Sequence, residues 1–491
     1  MWDKYHSKII WVLLGISTCL IIINGVTSEV SLGDESHHYR FAQNIFWAGK
    51  RVPFDPLYES GNPPGFFYNA PPLWHMVLSY LWKITGGISQ AIAQVYHVLF
   101  FILLVWLTYV LAKETIGKEG RWFPALIIAT VPMVVSFSTL FYMDVPMAAL
   151  CTLSFYLILK RRYIEAGVAS GLAYFTKLNA GFFFPGFLFL VFWNERRNFW
   201  GLVKKLSLFT LLGLIIYILD HYWRNINIAR QMDTIGWSYV SRRLSTVYAG
   251  AKWGEYLNSH LTNPVDLAKY FGLALPFLIF FYLLRFRQWD KKAAVLWVPV
   301  VSYLISFIII FGIEADIRYL LPILPFLVVL FIPSFSSLGH RLRFILIALC
   351  ILQFISTTYY VHQRRRIPPE VKEGFEYIKK NVPNNALILY PEENLLIYAQ
   401  RRIIWRAVQG NKPDHGGLQC LFWAGDDKEM NDLLAANHIN YIFIKKSRVY
   451  DDSKEHHIGG YPKSFAEKLP HLDGWLKSFE NPGVELWGRA N

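Results

Sequence analysis

The residues best suited to chemistry are charged side chains that stand next to long apolar segments. Asp34 and Glu35 follow the first of these segments, and Asp144 lies in a short stretch between two others. Lys177 and Arg318 each lie at one end of a later apolar segment. A carboxylate can take a proton from an attacking hydroxyl, and cations can bind a phosphate that becomes a leaving group. These residue types therefore suit transfer of a group from a phosphate to a hydroxyl.

Each of these residues also has a plain structural explanation. Asp34 can be the N-cap of a helix that runs through residues 41–45, a role that is compatible with catalysis. Lys177 and Arg318 can extend to the membrane interface, as long basic side chains do near the ends of spans. Asp144 is wedged between two spans, where an acidic residue is costly unless it is used or paired.

The elements that must position these residues are membrane spans. Of the 491 residues, 54% are hydrophobic, more apolar surface than a soluble protein of this length can bury. Several runs approach the roughly 20 residues needed to cross about 30 Å of hydrocarbon. The first run is long and is followed by no small-residue cleavage motif, so we expect a retained anchor. The net charge of +14 falls largely between the apolar runs, so nucleic acid is not an expected partner.

Short loops rich in Lys and Arg indicate the orientation of these spans. Six such loops occur, beginning with Lys4 and Lys8 before the first span. Loops of this kind face the cytoplasm, so the spans between them must pair, out and back. The condition predicts about eleven spans, with the N-terminus inside and the C-terminus outside. The predicted spans are residues 9–27, 90–112, 122–138, 144–160, 163–178, 179–194, 205–222, 269–285, 293–311, 319–336 and 343–361.

The chain changes character at residue 362. Residues 370–380 are typical of an amphipathic helix, and residues 386–390 and 441–444 of buried strands. We therefore predict an α-helical polytopic membrane protein, with a transmembrane domain over residues 1–361 and a small extracytoplasmic α/β domain over residues 362–491. In this topology the five charged residues lie at the same exterior membrane face.

The order and spacing of five short motifs resemble a known superfamily. Over roughly residues 1–360 the chain is similar to the C-type membrane glycosyltransferases, in the branch of the protein O-mannosyltransferases and the lipid A aminoarabinose transferase. The motifs are Gly33-Asp34-Glu35 followed by Tyr39, Pro71-Pro72-Leu73, Met143-Asp144-Val145-Pro146, Gly171-Leu172-Ala173 followed by Thr176-Lys177, and Arg318-Tyr319-Leu320-Leu321-Pro322.

The resemblance implies a transferase that inverts the sugar carbon. Its donor would be a dolichyl- or undecaprenyl-phosphate sugar, and its acceptor a hydroxyl of a lipid, glycan or protein on the extracytoplasmic face. Asp34 matches the catalytic aspartate of the family, Glu35 its acidic neighbour and Asp144 the acidic residue of the second loop. The positions expected near the donor phosphate are Lys177, Arg318, Tyr319 and Tyr39.

One departure from the family bears on metal binding. Related transferases often carry a charged residue directly before Pro-Pro-Leu, whereas this chain has Asn69-Ala70. His37, His38 and His260 could bind a divalent ion together with Glu35. Exposed loop histidines more often bind nothing, so a metal cofactor stays open at this point.

Two other functions compete with the transferase. A transporter or flippase for a lipid-linked saccharide would place charges near mid-membrane and show internal repeats. Here the charges cluster at one face and the sequence shows no repeat. A scaffold protein would act through residues 362–491, where residues 398–402 could touch an acceptor or form an exposed basic strand edge.

Overall fold

The chain forms two compact units. The structure, a computed structural model, describes residues 2–30, 33–52, 54–59, 66–67, 71–115, 122–197, 199–224, 270–276, 279, 294–311, 317–331, 339–392, 394–404, 421, 426–450 and 460–490. The first unit comprises Met1–Ser28 and Ala70–Arg364, and the second comprises Glu29–Asn69 and Arg365–Asn491. The second unit thus includes a stretch, Glu29–Asn69, that the sequence had grouped with the transmembrane domain.

Helices predominate in the described residues. In chain order they are α1 (Trp2–Thr27), α2 (Gly33–Ala48), α3 (Leu73–Ile84), α4 (Gln90–Thr115), α5 (Phe123–Thr130), α6 (Pro132–Thr139), α7 (Asp144–Leu159), α8 (Tyr163–Thr176), α9 (Phe184–Glu195), α10 (Phe199–Arg224), α11 (Trp297–Phe311), α12 (Leu324–Leu330), α13 (His340–Arg365), α14 (Pro369–Asn381), α15 (Asn394–Tyr398), α16 (Asp427–Ala436) and α17 (Lys463–Lys468). The 3-10 helices Leu178–Phe183 and Ile317–Ile323 precede α9 and α12.

The strands are short. They are β1 (Phe54–Asp55), β2 (Tyr58–Glu59), β3 (Phe66–Phe67), β4 (Leu387–Leu389), β5 (Arg402–Ile404), β6 (Tyr441–Lys445), β7 (Val449–Tyr450), β8 (Tyr461–Pro462), β9 (Trp475–Glu480) and β10 (Val484–Arg489).

The predicted count of eleven spans is not confirmed. Within the described ranges, two helical stretches are long and apolar enough to cross a membrane, namely α4 and Arg341–Asn381. A third is added if α6 and α7, which meet at an angle of 114°, count as one broken span. Nearly all of the predicted loop between the spans 205–222 and 269–285, and about half of the predicted span 269–285, lie outside the described residues.

Breaks in the helices place the candidate residues of the first unit at helix ends. The predicted span 122–138 is split into α5 and α6 at Pro132, which lacks the backbone N–H that a continuous helix needs. Asp144 is the first residue of α7. Lys177 follows α8 in an extended conformation, with φ −154° and ψ 132°, before the next 3-10 helix. The chain direction therefore changes beside both charged residues.

The second unit is built around a mixed sheet of six strands in the order β2-β5-β4-β6-β10-β9. Strand β4 pairs in parallel with β5 and β6, and β10 pairs antiparallel with β6 and β9. The helix predicted over residues 370–380 is α14, and the two predicted strands are β4 and β6. The small α/β domain is therefore present.

The stretch Glu29–Asn69 contributes a helix and a strand to this unit. Phe41 and Ile45 of α2 join the buried apolar cluster that contains Val371 and Phe375 of α14. Strand β2 pairs in parallel with β5, with the N–H of Ile403 donating to the Leu57 carbonyl at 2.8 Å. The stretch Glu29–Asn69 is thus part of the core and the sheet of the second unit.

A buried ion pair holds this loop together. The Arg40 guanidinium meets the Asp55 carboxylate at 2.8 Å, and each side chain is only 2% exposed. Asp55 also accepts the backbone N–H of Leu57 at 2.9 Å. Because a buried carboxylate is costly unless its oxygens are satisfied, these contacts fix the loop that leads into β2.

Residues 398–402 do not form the exposed basic strand edge that the sequence left open as one of two explanations. Strand β5 is covered on one side by β2 and on the other by β4, so it is not an edge. Arg401 is buried, and its guanidinium donates to the carbonyls of Val382 and Lys379. These two hydrogen bonds hold the turn after α14, so the Arg401 guanidinium is unsuited to contact an acceptor.

Candidate active site

In the first unit, a buried carboxylate holds a partly exposed ammonium. The Lys177 Nζ lies 2.7 Å from the Asp144 Oδ1. Asp144 is fully buried, whereas the Lys177 side chain is 20% exposed. The Oδ2 of Asp144 makes no hydrogen bond within the part of the chain that is described. The arrangement fixes the position of the ammonium and leaves one of its faces accessible.

A tyrosine ring brings a second cation to the same place. The Lys177 Nζ lies 4.9 Å from the centroid of the Tyr319 ring, and the Arg318 guanidinium carbon lies 5.3 Å from it. Arg318 also lies 5.4 Å from the ring of Tyr142. The hydroxyl of Tyr303 donates to the Tyr319 carbonyl at 2.7 Å, which fixes the backbone beside the ring.

Four residues that the sequence singled out for this site therefore come together: Asp144, Lys177, Arg318 and Tyr319. Lys177 is paired with Asp144, and Arg318 brings a second positive charge to the same ring at a partly buried position. Such a cluster favours an anion, because charges in a low-dielectric surrounding interact more strongly than in water. A phosphate could take hydrogen bonds from the ammonium and from the fork of the guanidinium.

In the second unit, Asp34 and Glu35 differ completely in exposure. Asp34 is exposed and lies within the first turn of α2, which begins at Gly33, so it is not the N-cap that the sequence allowed as one explanation. An acidic side chain in a first turn still interacts favourably with the helix dipole. Glu35 is fully buried, and its Oε1 accepts a hydrogen bond from the Arg365 guanidinium at 2.5 Å.

Tyr39 lies one turn further along α2 and is 5% exposed. Burial raises the pKa of its phenol, and the neighbouring Tyr398 and Glu35 raise it further. The group therefore stays protonated and can donate a hydrogen bond at any physiological pH. Its predicted role in phosphate binding stays a prediction.

The described residues do not gather the ligands of a metal site. They contain no group of three or more His, Cys, Asp or Glu side chains suited to hold an ion. The rings of His37 and His38 have centroids 5.6 Å apart and are tilted by 59°, while Glu35 is engaged with Arg365. His260, the third candidate ligand, lies outside the described residues. The fit of a metal to this set is thus poor.

Two residues near the candidate groups were missed in the sequence. Arg365 is the middle of three consecutive arginines, and nothing in that run distinguishes the one that is buried. Tyr142 lies directly before the Met143-Asp144-Val145-Pro146 motif. The one sequence feature that points to Tyr142 is its position directly before a motif that contains a charged residue.

Comparison with known families gives one match. The family described as dolichyl-phosphate-mannose-protein mannosyltransferase matches residues 69–223. This range contains Asp144 and Lys177 and the helices that position them. No curated protein matches the chain.

Solved structures resemble the chain over nearly its whole length. ArnT from Cupriavidus metallidurans bound to undecaprenyl phosphate matches with a TM-score of 0.63 and 12% identity, covering 97% of each chain. The oligosaccharyltransferase AglB from Archaeoglobus fulgidus, in complex with an inhibitory peptide and a dolichol-phosphate, matches with a TM-score of 0.62 and 14% identity, over 91% of this chain and 70% of that one. The mycobacterial arabinofuranosyltransferase AftD has a TM-score of 0.58 at 14% identity, over 99% of this chain and 40% of that one.

At these identities the structural matches establish the fold. Together with the family match, they confirm the predicted resemblance to the C-type membrane glycosyltransferases that use polyprenyl-phosphate sugars. They give no support to the transporter alternative.

Proposed function

We propose that this chain is an inverting glycosyltransferase that moves a sugar from a polyprenyl-phosphate donor to a hydroxyl of a lipid, glycan or protein acceptor. The observation that carries the proposal is the pair of cations, Lys177 and Arg318, that share the ring of Tyr319. A phosphate that leaves during transfer gains negative charge, and cations fixed in advance stabilise it.

The bond changes assign a role to each group. The acceptor oxygen forms a bond to the anomeric carbon while the bond from that carbon to the donor phosphate oxygen breaks. The electron pair stays with the phosphate, which Lys177 and Arg318 bind. The acceptor proton passes to the Asp34 carboxylate, the accessible member of its pair with Glu35.

Asp144 suits a supporting part in this scheme. It is fully buried, and its Oδ1 is already bonded to the Lys177 ammonium. A carboxylate so placed fixes the position of the ammonium. The ring of Tyr319 belongs to the proposed donor site, because both cations lie beside it.

The known structures favour a lipid-phosphate donor. The ArnT structure holds undecaprenyl phosphate, and the AglB structure holds a dolichol-phosphate. Both ligands combine a phosphate with a long isoprenoid chain. A ligand of this chemistry would bring its phosphate to the membrane surface, where the sequence predicts Lys177 and Arg318 to lie.

A transfer assay tests the function directly. Purified protein would be incubated with a panel of undecaprenyl- and dolichyl-phosphate sugars and with acceptors of the three classes. We expect one donor to yield a product whose anomeric configuration, read by NMR, is opposite to that of the donor. Retention of configuration would contradict the mechanism, and movement of an intact lipid-linked sugar across vesicles without transfer would favour the transporter.

The orientation is tested separately. The Lys/Arg loops place the N-terminus in the cytoplasm and residues 362–491 outside it. A reporter that is active only in the cytoplasm, fused after Asn491, should therefore be silent. Strong activity would reverse the orientation and place the proposed site on the cytoplasmic face.

A further inference from the structure

We infer that Arg365 is a positioning residue for Asp34, acting through its ion pair with Glu35. The inference rests on the proposed function, in which Asp34 receives the acceptor proton. It assigns to the second unit a part in the reaction, since Arg365, the last residue of α13, is the residue at which that unit resumes.

The first argument is the burial of the pair. The side chains of Glu35 and Arg365 are both 0% exposed, and the two charged groups are 2.5 Å apart. Taking two charges out of water is expensive, and replacing such a pair by apolar side chains often leaves a protein equally stable or more so. Stability alone therefore explains this pair poorly, whereas a need for fixed geometry explains it well.

The second argument is the place of Glu35 in the chain. Glu35 directly follows Asp34 in the first turn of α2. Consecutive residues of a helix point about 100° apart, so a contact that holds Glu35 fixes the rotation of this turn and with it the direction in which the Cα–Cβ bond of Asp34 leaves the helix. The bond to Arg365 keeps Glu35 inside and leaves Asp34 exposed.

The third argument is that the residues before α2 are held by the same part of the chain. The carboxylate of Glu29 accepts the backbone N–H of Ile367 at 3.1 Å. The N–H of Val30 donates to the Tyr398 hydroxyl at 2.9 Å. Together with the Arg365 guanidinium, these two groups hold the chain on both sides of the Asp34 position.

The test compares variants that separate geometry from stability. Arg365→Lys keeps the charge but replaces the planar fork with a shorter, single-point ammonium. Glu35→Met combined with Arg365→Met removes both charges and fills the space with apolar atoms. For each variant, kcat, the KM for the donor and the melting temperature in detergent would be measured.

We expect Arg365→Lys to lower kcat by about 10- to 100-fold, the scale of a small misplacement at a reacting centre, with the donor KM within about twofold of wild type. The double methionine variant should keep the melting temperature near that of wild type while its kcat stays low. Full recovery of kcat in the double variant would overturn the inference, because the pair would then matter for stability alone. Should the double variant not fold, a wild-type kcat in Arg365→Lys overturns it equally.

A double-mutant cycle separates this inference from the proposed function. Arg365→Lys would be measured in the wild-type and the Asp34→Asn backgrounds. If Arg365 acts through Asp34, its substitution should slow the wild type strongly and the Asp34→Asn variant by about twofold or less, because the two changes are not additive. Equal losses in both backgrounds would overturn the positioning role. A wild-type rate in Asp34→Asn alone would instead reject Asp34 as the base.

Lys372→Met provides the matched control. Lys372 pairs with Glu29 in the same segment, but its side chain is 48% exposed. Exposed pairs contribute little, so we expect kcat within about twofold of wild type. A loss as large as that of Arg365→Lys would show that any disturbance of the segment slows the reaction, which would overturn a specific role for Arg365.

Discussion

Each unit contains a fully buried carboxylate that is paired with one cation. The charge that stays accessible at or beside the pair is positive in the first unit and negative in the second. In the first unit the cation of the Asp144 pair, Lys177, is 20% exposed. In the second unit the cation of the Glu35 pair, Arg365, is as buried as the carboxylate. The accessible charge there is the neighbouring carboxylate of Asp34. The same kind of pair is therefore accompanied by an accessible positive group in one unit and by an accessible negative group in the other.

Removing the accessible negative charge should have the largest effect on the rate. Asp34→Asn keeps the size of the side chain and removes the base. We expect it to slow transfer by roughly 100-fold or more, the usual scale for a lost general base. The measurement is kcat with the donor and acceptor found in the transfer assay.

The melting temperature is the control for this variant, since Asp34 is exposed and its amide should be tolerated. We expect it to be unchanged. If Asp34→Asn transfers sugar at the wild-type rate, the proton goes elsewhere and Asp144 becomes the leading candidate for the base.

Removing an accessible positive charge should have an intermediate effect. Lys177→Met and Arg318→Met each delete one proposed contact to the departing phosphate. A charge-assisted hydrogen bond is worth roughly 1.5–3 kcal/mol, so each variant should slow transfer by about tenfold or more. The ratio kcat/KM for the donor measures this loss.

Lys160→Met is the matched control for these two variants. Lys160 pairs with Glu114 at 2.7 Å, the same distance as in the pair of Lys177 and Asp144, but its side chain is 39% exposed. The sequence places it at the cytoplasmic ends of its spans. Its loss should leave kcat/KM nearly unchanged, whereas a wild-type rate in Lys177→Met would mean that Lys177 only extends to the membrane interface.

The grouping of the first site could be predicted from the sequence because it depends on topology. Asp144, Lys177 and Arg318 each adjoin the end of an apolar segment, and alternation of the spans brings such ends to one face. The structure places Lys177 on Asp144 and both Lys177 and Arg318 at Tyr319. The number of spans could not be predicted as well, because breaks such as the one at Pro132 shorten helices without changing their composition.

The architecture around Glu35 and Arg365 could not be predicted from the sequence, because it depends on pairing between residues that are far apart in the chain. Strand β2 has two residues, too few to show an alternating pattern, and it finds its partner β5 more than 300 residues later in the chain. The same holds for Glu35 and Arg365, which are 330 positions apart. A charged residue in an exterior loop is normally exposed, so neither residue carried a signal of its burial.

The smallest effect is expected where the carboxylate of an ion pair is exposed to solvent, as Glu480 is. Glu480 lies on β9 and accepts hydrogen bonds from Lys477 and Lys446, both at 2.9 Å. These two hydrogen bonds, of which the one from Lys477 has the larger effect, lower the pKa of the Glu480 carboxyl from 4.5 to about 2. Because the pKa is lowered on folding, the carboxylate stabilises the protein above pH 4.5, and this contribution is lost as the pH falls toward 2.

Glu480→Gln should therefore lower the melting temperature by about 2 °C or less at pH 7 in low salt. The difference from wild type should shrink below pH 4.5 and in high salt. A difference that persists unchanged at pH 3 would show that the charge of Glu480 is not its cause. Burial of the carboxylate should distinguish Glu35 and Asp144 from the ordinary surface pairs of this protein. A change in melting temperature as large as that expected for a buried pair would contradict this.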